Sequence, residues 1–529
     1  MIRVVNYYQL EQRIQRAIQA QRYVGMAVAI IQGAEVTYAR GFGVASVEDA
    51  SPQVTPDTLF CIGSISKTLT ATLVMRLVEQ GRLDLDTPIV NYLPGFQFSD
   101  PALGARITLR HVLSHTTGLP AGGKDFGPRD PDALRRFVWD ELPMYAFIAP
   151  PGRLHLYNNT VLVIAGHVAE AVTGRFYEEL MQELVFDPLG MQRTTFDRLV
   201  AMTYPLALAH RVGADGVLRT KHRFTDNVSG NPAGFGISST LDLAHFAIMH
   251  LSRGQFAGAQ FLAPESVAEM QLPHANRSTF GVESHYGMGW YTGSYKGVRQ
   301  VLHGGMLESY NCFLTLFPDQ GVGVVLQSNY DDGTEIGDLV EQIYDGLLGL
   351  REAHASPRPV APDRAAWERH VGTYLSTSRG LATIRAEGDE LMLEQNDTSM
   401  ALVAVEGDLY QAEHTPVRFL PEPAGPTEYM VIDSMPYWRL EPDPSFVPDP
   451  QRWERYAGVY YAWQIDPDPP HVRVHDRQLL VRWGGNEVIY TALSNTRFVG
   501  AYGLLEFEGA ETEMPVLVSD MANRLYRRP

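Results

Sequence analysis

Cysteine is rare in this sequence. Cys61 and Cys312 are the only two among 529 residues, and each lies in an apolar, strand-like run without a ligand-type spacing. Such cysteines are typical of buried free thiols, and their spacing indicates neither a disulfide framework nor a metal site. Glycine-rich phosphate loops, His-Glu-x-x-His and Cys-x-x-Cys are also missing. We therefore expect no cofactor and no metal ion.

Lysine is equally scarce, with four residues against 39 arginines, and the formal net charge is −18. A sequence with no basic cluster and an isoelectric point near 5.3 is not expected to bind nucleic acid or an anionic membrane. No apolar run reaches the roughly 18 residues that a transmembrane helix needs. Residues 1–13 lead into a charged helix and contain no apolar core of signal-peptide length. We therefore expect a cytoplasmic protein with no nucleic-acid or membrane partner.

The chain is too long for a single hydrophobic core. Two proline-containing stretches, 351–365 and 441–451, are typical of linkers. They divide the chain into three predicted domains, which cover residues 1–352, 365–442 and 451–529.

Both linker stretches are followed by the same phrase. Trp-Glu-Arg-x-x-Gly-x-Tyr begins at Trp367 and again at Trp453, 86 residues later. Each phrase opens a series of short alternating segments broken by Gly, Asn and Asp, which is typical of small antiparallel barrels. Neither module contains a catalytic set of residues. We therefore favour a supporting role for both modules over direct participation in a site.

The first domain is predicted to have strands at both ends and helices between them. Two strands, 25–32 and 36–43, are joined by a tight turn. Further elements follow from periodicity: helices at 109–113, 161–173, 177–184 and 241–253, strands at 287–291, 298–303, 312–317 and 323–328, and a closing helix at 336–348. This order predicts an α+β fold with an antiparallel sheet assembled from both ends of the domain and covered by helices.

The segment from Phe60 to Gln80 carries the strongest chemical signal. A short apolar run meets Gly63 and continues as a helix whose apolar residues recur every three to four positions. Ser64 lies at the start of this helix, where free backbone N–H groups favour negative charge on a bound carbonyl oxygen. Lys67 lies on the same face and can reach the hydroxyl. A lysine kept neutral by burial can act as a base, and a charged one can lower the pKa of a neighbouring phenol.

A structural interpretation of the same residues is available. Serines often cap helices and lysines often lie in solvent, so Ser64-x-x-Lys67 alone is weak evidence. A lysine in a mostly apolar helix of a lysine-poor chain nevertheless needs a reason, and Ser-x-x-Lys is the pattern of acyl-serine enzymes. On the motif alone, catalysis and capping both stay open.

Two further patterns could complete a site. Tyr157-x-Asn159 is the only Tyr-x-Asn in the chain. A phenol near a charged lysine would have its pKa lowered and could carry a proton from serine to leaving group, while the amide of Asn159 could orient the lysine. In isolation, a turn tyrosine followed by asparagine caps would be preferred.

The second pattern is His303-Gly304-Gly305, at the predicted end of a strand. The missing side chains of the two glycines would let a substrate backbone lie close to the sheet edge. His285-x-Gly287 offers the same pattern, so the signal is weak, and we prefer position 303 because a predicted strand precedes it. Other histidines, including His115, are interpreted as structural.

Taken in order, these three motifs resemble the serine β-lactamase and penicillin-binding protein superfamily, and most of all the branch with class C β-lactamases, D-aminopeptidases, D-alanyl-D-alanine carboxypeptidases and esterases. The phrases 107–119, Ile-Thr-Leu-Arg-His-Val-Leu-Ser-His-Thr-Thr-Gly-Leu, and 186–191, Phe-Asp-Pro-Leu-Gly-Met, add to the resemblance, which spans about residues 8–350. It implies a helical domain beside an α/β domain with an antiparallel sheet, and two small lipocalin-like β-barrel modules after it.

The resemblance also implies roles. Ser64 would be the acylated nucleophile, Lys67 and Tyr157 would share acid and base duty, and Asn159 would orient them. The backbone N–H groups of Ser64 and Met306 would form the oxyanion hole. His303, Gly304 and Gly305 would border the substrate where β-lactamases have Lys-Thr-Gly. A mostly neutral imidazole in place of a fixed cation implies weaker recognition of a penicillin carboxylate.

The leading functional hypothesis is a serine hydrolase that cleaves amide bonds in small peptides, D-residue-containing ones in particular. The layout resembles three-domain D-aminopeptidases, although residues 500–503 contain no long insertion that could reach the cleft. A carboxylesterase, an acyl transferase or cyclase, a weak β-lactamase, and a catalytically silent binding or cell-wall sensing protein are the alternatives. The expected partner is a small molecule or short peptide, and a homo-oligomer is left open.

Overall fold

The fold was taken from a computed structural model of the chain. It describes residues 7–527 except for several short stretches, which are 49–52, 214, 223, 278–283, 331–335, 351–358, 377–378, 396–397, 407, 414, 422–424, 434, 441–444, 462–468, 477, 484–485, 501–502, 510–515 and 520–522. Parts of both predicted linkers, 351–358 and 441–444, and of the loop at 500–503 therefore lie outside the described residues.

An eight-stranded antiparallel sheet forms the centre of the first half of the chain. Its strands, in chain order, are β1 Gly25–Gln32, β2 Glu35–Gly43, β3 Ala275–Asn276, β4 Ser284–Tyr286, β5 Tyr291–Tyr295, β6 Val298–Leu307, β7 Tyr310–Phe317 and β8 Val322–Ser328. They lie in the order β2-β1-β8-β7-β6-β5-β4-β3, so the first hairpin joins the last strand of the domain. The sheet predicted from both ends of the domain is confirmed.

Helices cover this sheet. The longer ones are α1 Tyr7–Gln19, α2 Ser66–Glu79, α3 Leu109–Leu113, α4 Val161–Thr173, α5 Tyr177–Met181, α6 Thr240–Leu251, α7 Pro264–Met270 and α8 Ile336–Leu348. Four-residue helices lie at Ile89–Tyr92, Pro101–Gly104, Ala133–Arg136, Arg198–Ala201 and Asn231–Gly234. The predicted helix 177–184 is α5 followed by a π-helical turn at Gln182–Phe186. Strand 287–291 was predicted wrongly, because residues 287–290 connect β4 to β5.

The core lies on both faces of the sheet because side chains alternate along each strand. On β1, Met26 and Ile30 pack with α1 and α8, whereas Ala29 and Ile31 pack with the helices of the opposite face. A strand buried on both sides reads as a continuous apolar run, which explains why β1 was evident from sequence. Cys61 and Cys312 are both buried free thiols, as predicted.

Two closed antiparallel barrels of eight strands each follow. The first consists of β9 Gly372–Ser376, β10 Gly380–Glu387, β11 Glu390–Gln395, β12 Thr398–Glu406, β13 Leu409–Ala412, β14 Thr415–Pro421, β15 Thr427–Ile432 and β16 Met435–Arg439. The second consists of β17 Gly458–Tyr461, β18 His471–His475, β19 Gln478–Trp483, β20 Asn486–Ala492, β21 Arg497–Gly500, β22 Gly503–Glu508, β23 Val516–Ser519 and β24 Asn523–Arg527.

The repeated Trp-Glu-Arg-x-x-Gly-x-Tyr phrase has the same place in both barrels. Trp367 and Trp453 are buried in the two barrel cores, and they belong to the short helices Arg364–His370 and Pro450–Trp453. The hydroxyls of Tyr374 and Tyr460, which end the phrase, each donate to the carbonyl oxygen four residues earlier. The prediction of two related barrel modules is confirmed.

Some predictions are not settled by the fold. Among the described residues, no helix has the length and apolar character needed to cross a membrane. Within the same ranges, no group of three or more His, Cys, Asp and Glu side chains is arranged to hold a metal ion. The domain boundaries, the cytoplasmic location and the formation of a homo-oligomer stay predictions.

Candidate active site

Ser64 lies in a tight turn between a short strand and α2. Leu59–Cys61 pairs with Ile237–Ser239, and a 3₁₀ turn at Gly63–Ile65 then leads into the helix. Gly63 has φ +51°, a left-handed conformation that suits glycine. Ser64 was predicted at the start of the helix, and it lies in the 3₁₀ turn immediately before α2. It does not cap α2, whose N-terminal position is held by Ile65 without a side-chain bond, so the capping interpretation is wrong.

Lys67 is fully buried one turn after Ser64. Its Nζ lies 3.0 Å from Ser64 Oγ, 2.6 Å from Asn159 Oδ1 and 2.7 Å from the carbonyl oxygen of Ala233. Burial disfavours the charged amine and lowers the pKa of Lys67 to about 7. Of the two alternatives that the sequence left open, a charged or a partly neutral lysine, the second is therefore favoured.

Tyr157 lies on the other side of Ser64. Its ring centroid is 4.9 Å from Lys67 Nζ, and its phenol is close enough to Ser64 for that residue to influence the pKa of the phenol. Burial and the neighbouring Tyr291 raise the pKa of Tyr157, and the proximity of Ser64 and the charge of Arg277 offset this only in part. The expectation that a charged lysine lowers the pKa of this phenol is wrong, because desolvation acts on both groups and favours their neutral forms.

Strand β6 forms the wall opposite the nucleophile. It runs on to Leu307 instead of ending near His303. Beyond Leu302 its residues pair with β7 alone, which leaves one edge towards Ser64. Gly305 is in close contact with the serine turn, since a Cβ there would lie 1.9 Å from the Ile62 carbonyl oxygen and 3.1 Å from the Ser64 nitrogen.

This contact brings two backbone N–H groups together. A Cβ on Gly63 would lie 2.5 Å from the nitrogen of Met306, so the peptide groups of Ser64 and Met306 are neighbours across the same gap. The side chain of Met306 is 70% exposed at the mouth of the site. The missing side chain of Gly305 therefore accommodates the serine turn, whereas we had expected it to accommodate a substrate backbone. At Gly304 there is space for a Cβ atom, because the nearest atom to it would be the Cys312 carbonyl oxygen at 3.9 Å.

His303 lies beside the site with a buried imidazole. Its Nδ1 is 2.6 Å from the carbonyl oxygen of Gly304 and must donate, so its Nε2 accepts from the Tyr286 hydroxyl at 3.0 Å. Burial lowers the pKa of His303 to about 3, so the ring is neutral at pH 7. Both ring nitrogens are bonded within the protein, and substrate binding by His303 stays a prediction.

Several residues around Tyr157 were missed or undervalued in the sequence. His115, interpreted as structural, has its ring centroid 4.6 Å from that of Tyr157, and Tyr291 stacks on Tyr157 at 6.3 Å. Arg277 lies with its guanidinium carbon 4.5 Å from the Tyr291 ring centroid. The phrase containing His115 was noticed, but no sequence pattern pointed to Tyr291 or Arg277.

A cavity of about 220 Å³ opens next to Ser64 and Asn159. Apolar residues and glycines, among them Phe137, Val163, Gly234 and Phe235, form most of its lining, and polar residues including Lys124 and Asn227 form the rest. Lys124 forms an ion pair with Glu141. The site thus combines a serine, a buried amine, a phenol, paired backbone donors and an adjoining space for a side chain.

The chain is similar to known proteins in sequence and in structure. The family described as Beta-lactamase matches residues 10–343. Penicillin-binding protein 4 from Amycolatopsis lactamdurans is 31% identical over 346 residues, which are 63% of this chain and 88% of that protein. Unguisins hydrolase ungD' from Aspergillus campestris is 30% identical over 320 residues, and the chain spans 58% of its length.

The structural comparison extends into the barrels. The crystal structure of SurE with D-Leu matches with a TM-score of 0.64 and 25% identity, and the match covers 82% of this chain and 99% of that one. The family match covers well over half of the chain and includes Ser64, Lys67, Tyr157 and β6. The chain therefore belongs to the beta-lactamase family and is a serine hydrolase of the β-lactamase fold.

Proposed function

We propose that this hydrolase cleaves amide bonds of small peptides, those containing D-residues in particular, through an acyl-Ser64 intermediate. One observation carries the proposal: a fully buried Lys67 amine with a pKa of about 7 lies 3.0 Å from the Ser64 hydroxyl oxygen. At pH 7 about half of such amines are uncharged and able to accept a proton. A serine hydroxyl needs a base of this kind before it can attack a carbonyl carbon.

The hydrogen bonds of Lys67 suit the role of base. A neutral amine has two N–H donors and one lone pair. Asn159 Oδ1 and the Ala233 carbonyl oxygen accept from Lys67 at 2.6 and 2.7 Å and use both donors. The lone pair is then left for the hydroxyl proton of Ser64. Asn159 is accordingly assigned the orientation of the base.

Tyr157 is assigned the delivery of a proton to the leaving group. Its raised pKa keeps the phenol protonated at neutral pH. As Ser64 Oγ bonds to the carbonyl carbon, the hydroxyl proton of Ser64 moves to Lys67. When the C–N bond breaks, the leaving nitrogen takes the phenolic proton of Tyr157. Lys67 then gives its proton to the phenolate oxygen of Tyr157. Water then attacks the acyl-Ser64 ester, and the same groups transfer the protons in the reverse order. The N–H groups of Ser64 and Met306 would stabilise the oxyanion in both steps.

Two comparisons support a peptide substrate. One relative is named as a hydrolase of unguisins, and one structural match was solved with a D-amino acid. The neutral His303 argues against strong binding of a penicillin carboxylate, because it supplies no positive charge. A carboxylesterase, an acyl transferase or cyclase, a weak β-lactamase and a silent binding protein remain the alternatives that experiment has to rank.

The deciding experiment is the mass of the intact protein after brief exposure to acyl donors. D-alanine and L-alanine anilides, a short D-peptide, a p-nitrophenyl ester and a β-lactam would be compared on the wild type and on Ser64→Ala. We expect the mass to increase by one acyl group in the wild type and not in the variant, with amides of D-residues turned over fastest. Preference for the ester without stereoselectivity would favour the carboxylesterase, and no mass increase with any donor would favour the binding protein.

The cavity next to Ser64 indicates which kind of side chain the acyl residue of the substrate has. Phe137, Val163 and Phe235 give it apolar walls, so we expect an apolar side chain to bind there. Gly234 also lines it, and a Cβ at Gly234 would meet only the Gly63 carbonyl carbon at 3.9 Å. Gly234→Leu would thus occupy the space without a backbone clash.

We expect Gly234→Leu to lower kcat/KM for a leucyl donor by about 10- to 100-fold while the alanyl donor is affected much less, since one or two methylene groups in a pocket change binding by 1–3 kcal/mol each. Gly346→Leu, on the exposed side of α8, is the matched control, because no atom lies within 4 Å of a Cβ there. Equal losses for both donors would show that the cavity does not hold the acyl side chain.

A further inference from the structure

Tyr157 is carried by a segment without regular secondary structure. Residues 145–158 form neither helix nor strand. The N–H groups of Gly152 and Leu156 donate to the carbonyl oxygens of Thr116 and His115, both at 2.7 Å. The side-chain amide of Asn158 donates to the carbonyl oxygens of Leu119 and Pro120, at 3.0 and 2.8 Å. All of these bonds go to one neighbouring stretch, so the rest of the segment depends on side-chain packing for its position.

The first barrel supplies such packing. Leu154 and Leu156, which are 3% and 7% exposed, lie in one apolar cluster with Tyr429 of β15. Leu420 of β14 and Trp438 of β16 complete the barrel side of this cluster. The cluster therefore joins the barrel to the residue immediately before Tyr157.

Tyr429 makes a second contact with this segment. The guanidinium carbon of Arg153 lies 5.6 Å from the ring centroid of Tyr429. The ring of Tyr157 packs against His115 and Tyr291 and is 38% exposed, whereas the leucines that precede it are almost completely buried. Small displacements matter here, because proton transfer requires hydrogen-bond distance between the phenol and its partner.

We propose that the first barrel is a positioning element for Tyr157, and that Tyr429, packed on Leu154 and Leu156, holds the phenol in reach of Ser64. The inference rests on the proposed role of Tyr157 as proton donor. It assigns the barrel a part in catalysis, whereas the sequence favoured support alone. Tyr429 acts through the segment and does not touch the reacting atoms.

The test is a double-mutant cycle of Tyr429→Ala with Tyr157→Phe, measured as kcat and KM on the preferred acyl donor. A misplaced catalytic group costs about 10- to 100-fold, so we expect Tyr429→Ala to lower kcat by that factor with KM changed less than about threefold. In the Tyr157→Phe background, Tyr429→Ala should have no further effect on kcat, because the group that it positions is already absent.

Two variants separate positioning from barrel stability. Tyr429→Phe keeps the ring and should retain the wild-type kcat. Ile384→Ala removes a fully buried side chain from the interior of the same barrel, away from the Tyr157 segment, and should lower the melting temperature while kcat is retained. If Tyr429→Ala does not fold, Leu420→Ala takes its place in the cycle with the same expectation.

The outcomes distinguish the two proposals. An equal loss of kcat from Tyr429→Ala with and without the Tyr157 hydroxyl would overturn the positioning role and leave the proposed function intact. A loss of kcat in Ile384→Ala as large as in Tyr429→Ala would do the same. Full activity of Tyr157→Phe would overturn both the assigned role of Tyr157 and the inference built on it.

Discussion

Replacing Lys67 with methionine is expected to slow the acylation of Ser64 by roughly 10³- to 10⁴-fold, since a positioned general base contributes up to that factor. Methionine retains an unbranched apolar stem that fits the buried helix, but it has no lone pair on nitrogen in reach of the Ser64 hydroxyl. The rate of mass increase by an activated ester, followed at short times, measures the effect.

The pH dependence of the same acylation reaction tests whether Lys67 is the base. Lys67 has its pKa lowered to about 7 by burial, and its uncharged form is the base, so the acylation rate should rise as the pH passes 7 and level off above it. Lys124→Met is the matched control: Lys124 lines the same cavity, but its amine is paired with Glu141. It should keep both the rate, within a few-fold, and the pH profile. Acylation independent of pH between about 5 and about 9 would contradict the role of Lys67.

The second large effect is expected from Gly305→Ala. Its Cβ would lie 1.9 Å from the carbonyl oxygen of Ile62, and backbone atoms on both sides cannot yield as the tip of a flexible side chain would. Strand β6 has to move away from the serine turn, and the N–H of Met306 moves with it. Loss of one oxyanion donor costs about 10²- to 10³-fold in kcat, and we expect an effect of that size together with a lower melting temperature.

Gly304→Ala is the control for this change. It alters the neighbouring residue of the same strand, where the nearest atom to a Cβ is 3.9 Å away, so activity and melting temperature should stay near those of the wild type. Equal activity of the two alanine variants would refute the view that Gly305 sets the distance between β6 and the serine turn.

The residues of the proposed site could be found in the sequence because each belongs to a local pattern. Ser64 and Lys67 are one helical turn apart, so their proximity follows from helix geometry. Tyr157 and Asn159 come from a loop about ninety residues away, and only the resemblance to a family linked them to that turn. The bond of 2.6 Å between Lys67 and Asn159 now joins the two.

The sequence left the charge of Lys67 open and wrongly predicted a lowered pKa for Tyr157. The prediction that a charged Lys67 lowers the pKa of Tyr157 considers the two groups in isolation. In the folded protein, burial favours the neutral form of both groups. Desolvation depends on everything packed around a group, and no spacing of residues in a sequence contains that information. The same holds for Gly305, whose neighbour, the serine turn, is distant in sequence.

The sequence by itself determined the elements: an apolar run such as β1, the repeated Trp-Glu-Arg phrase and the Ser64-x-x-Lys67 step follow from local chemistry, which acts over a few residues. The tertiary structure alone decided the lowered pKa of Lys67, the neighbouring positions of the Ser64 and Met306 N–H groups, and the packing of Tyr429 beside the Tyr157 segment. These features arise where distant segments meet and exclude water, and such contacts exist only once the chain has folded.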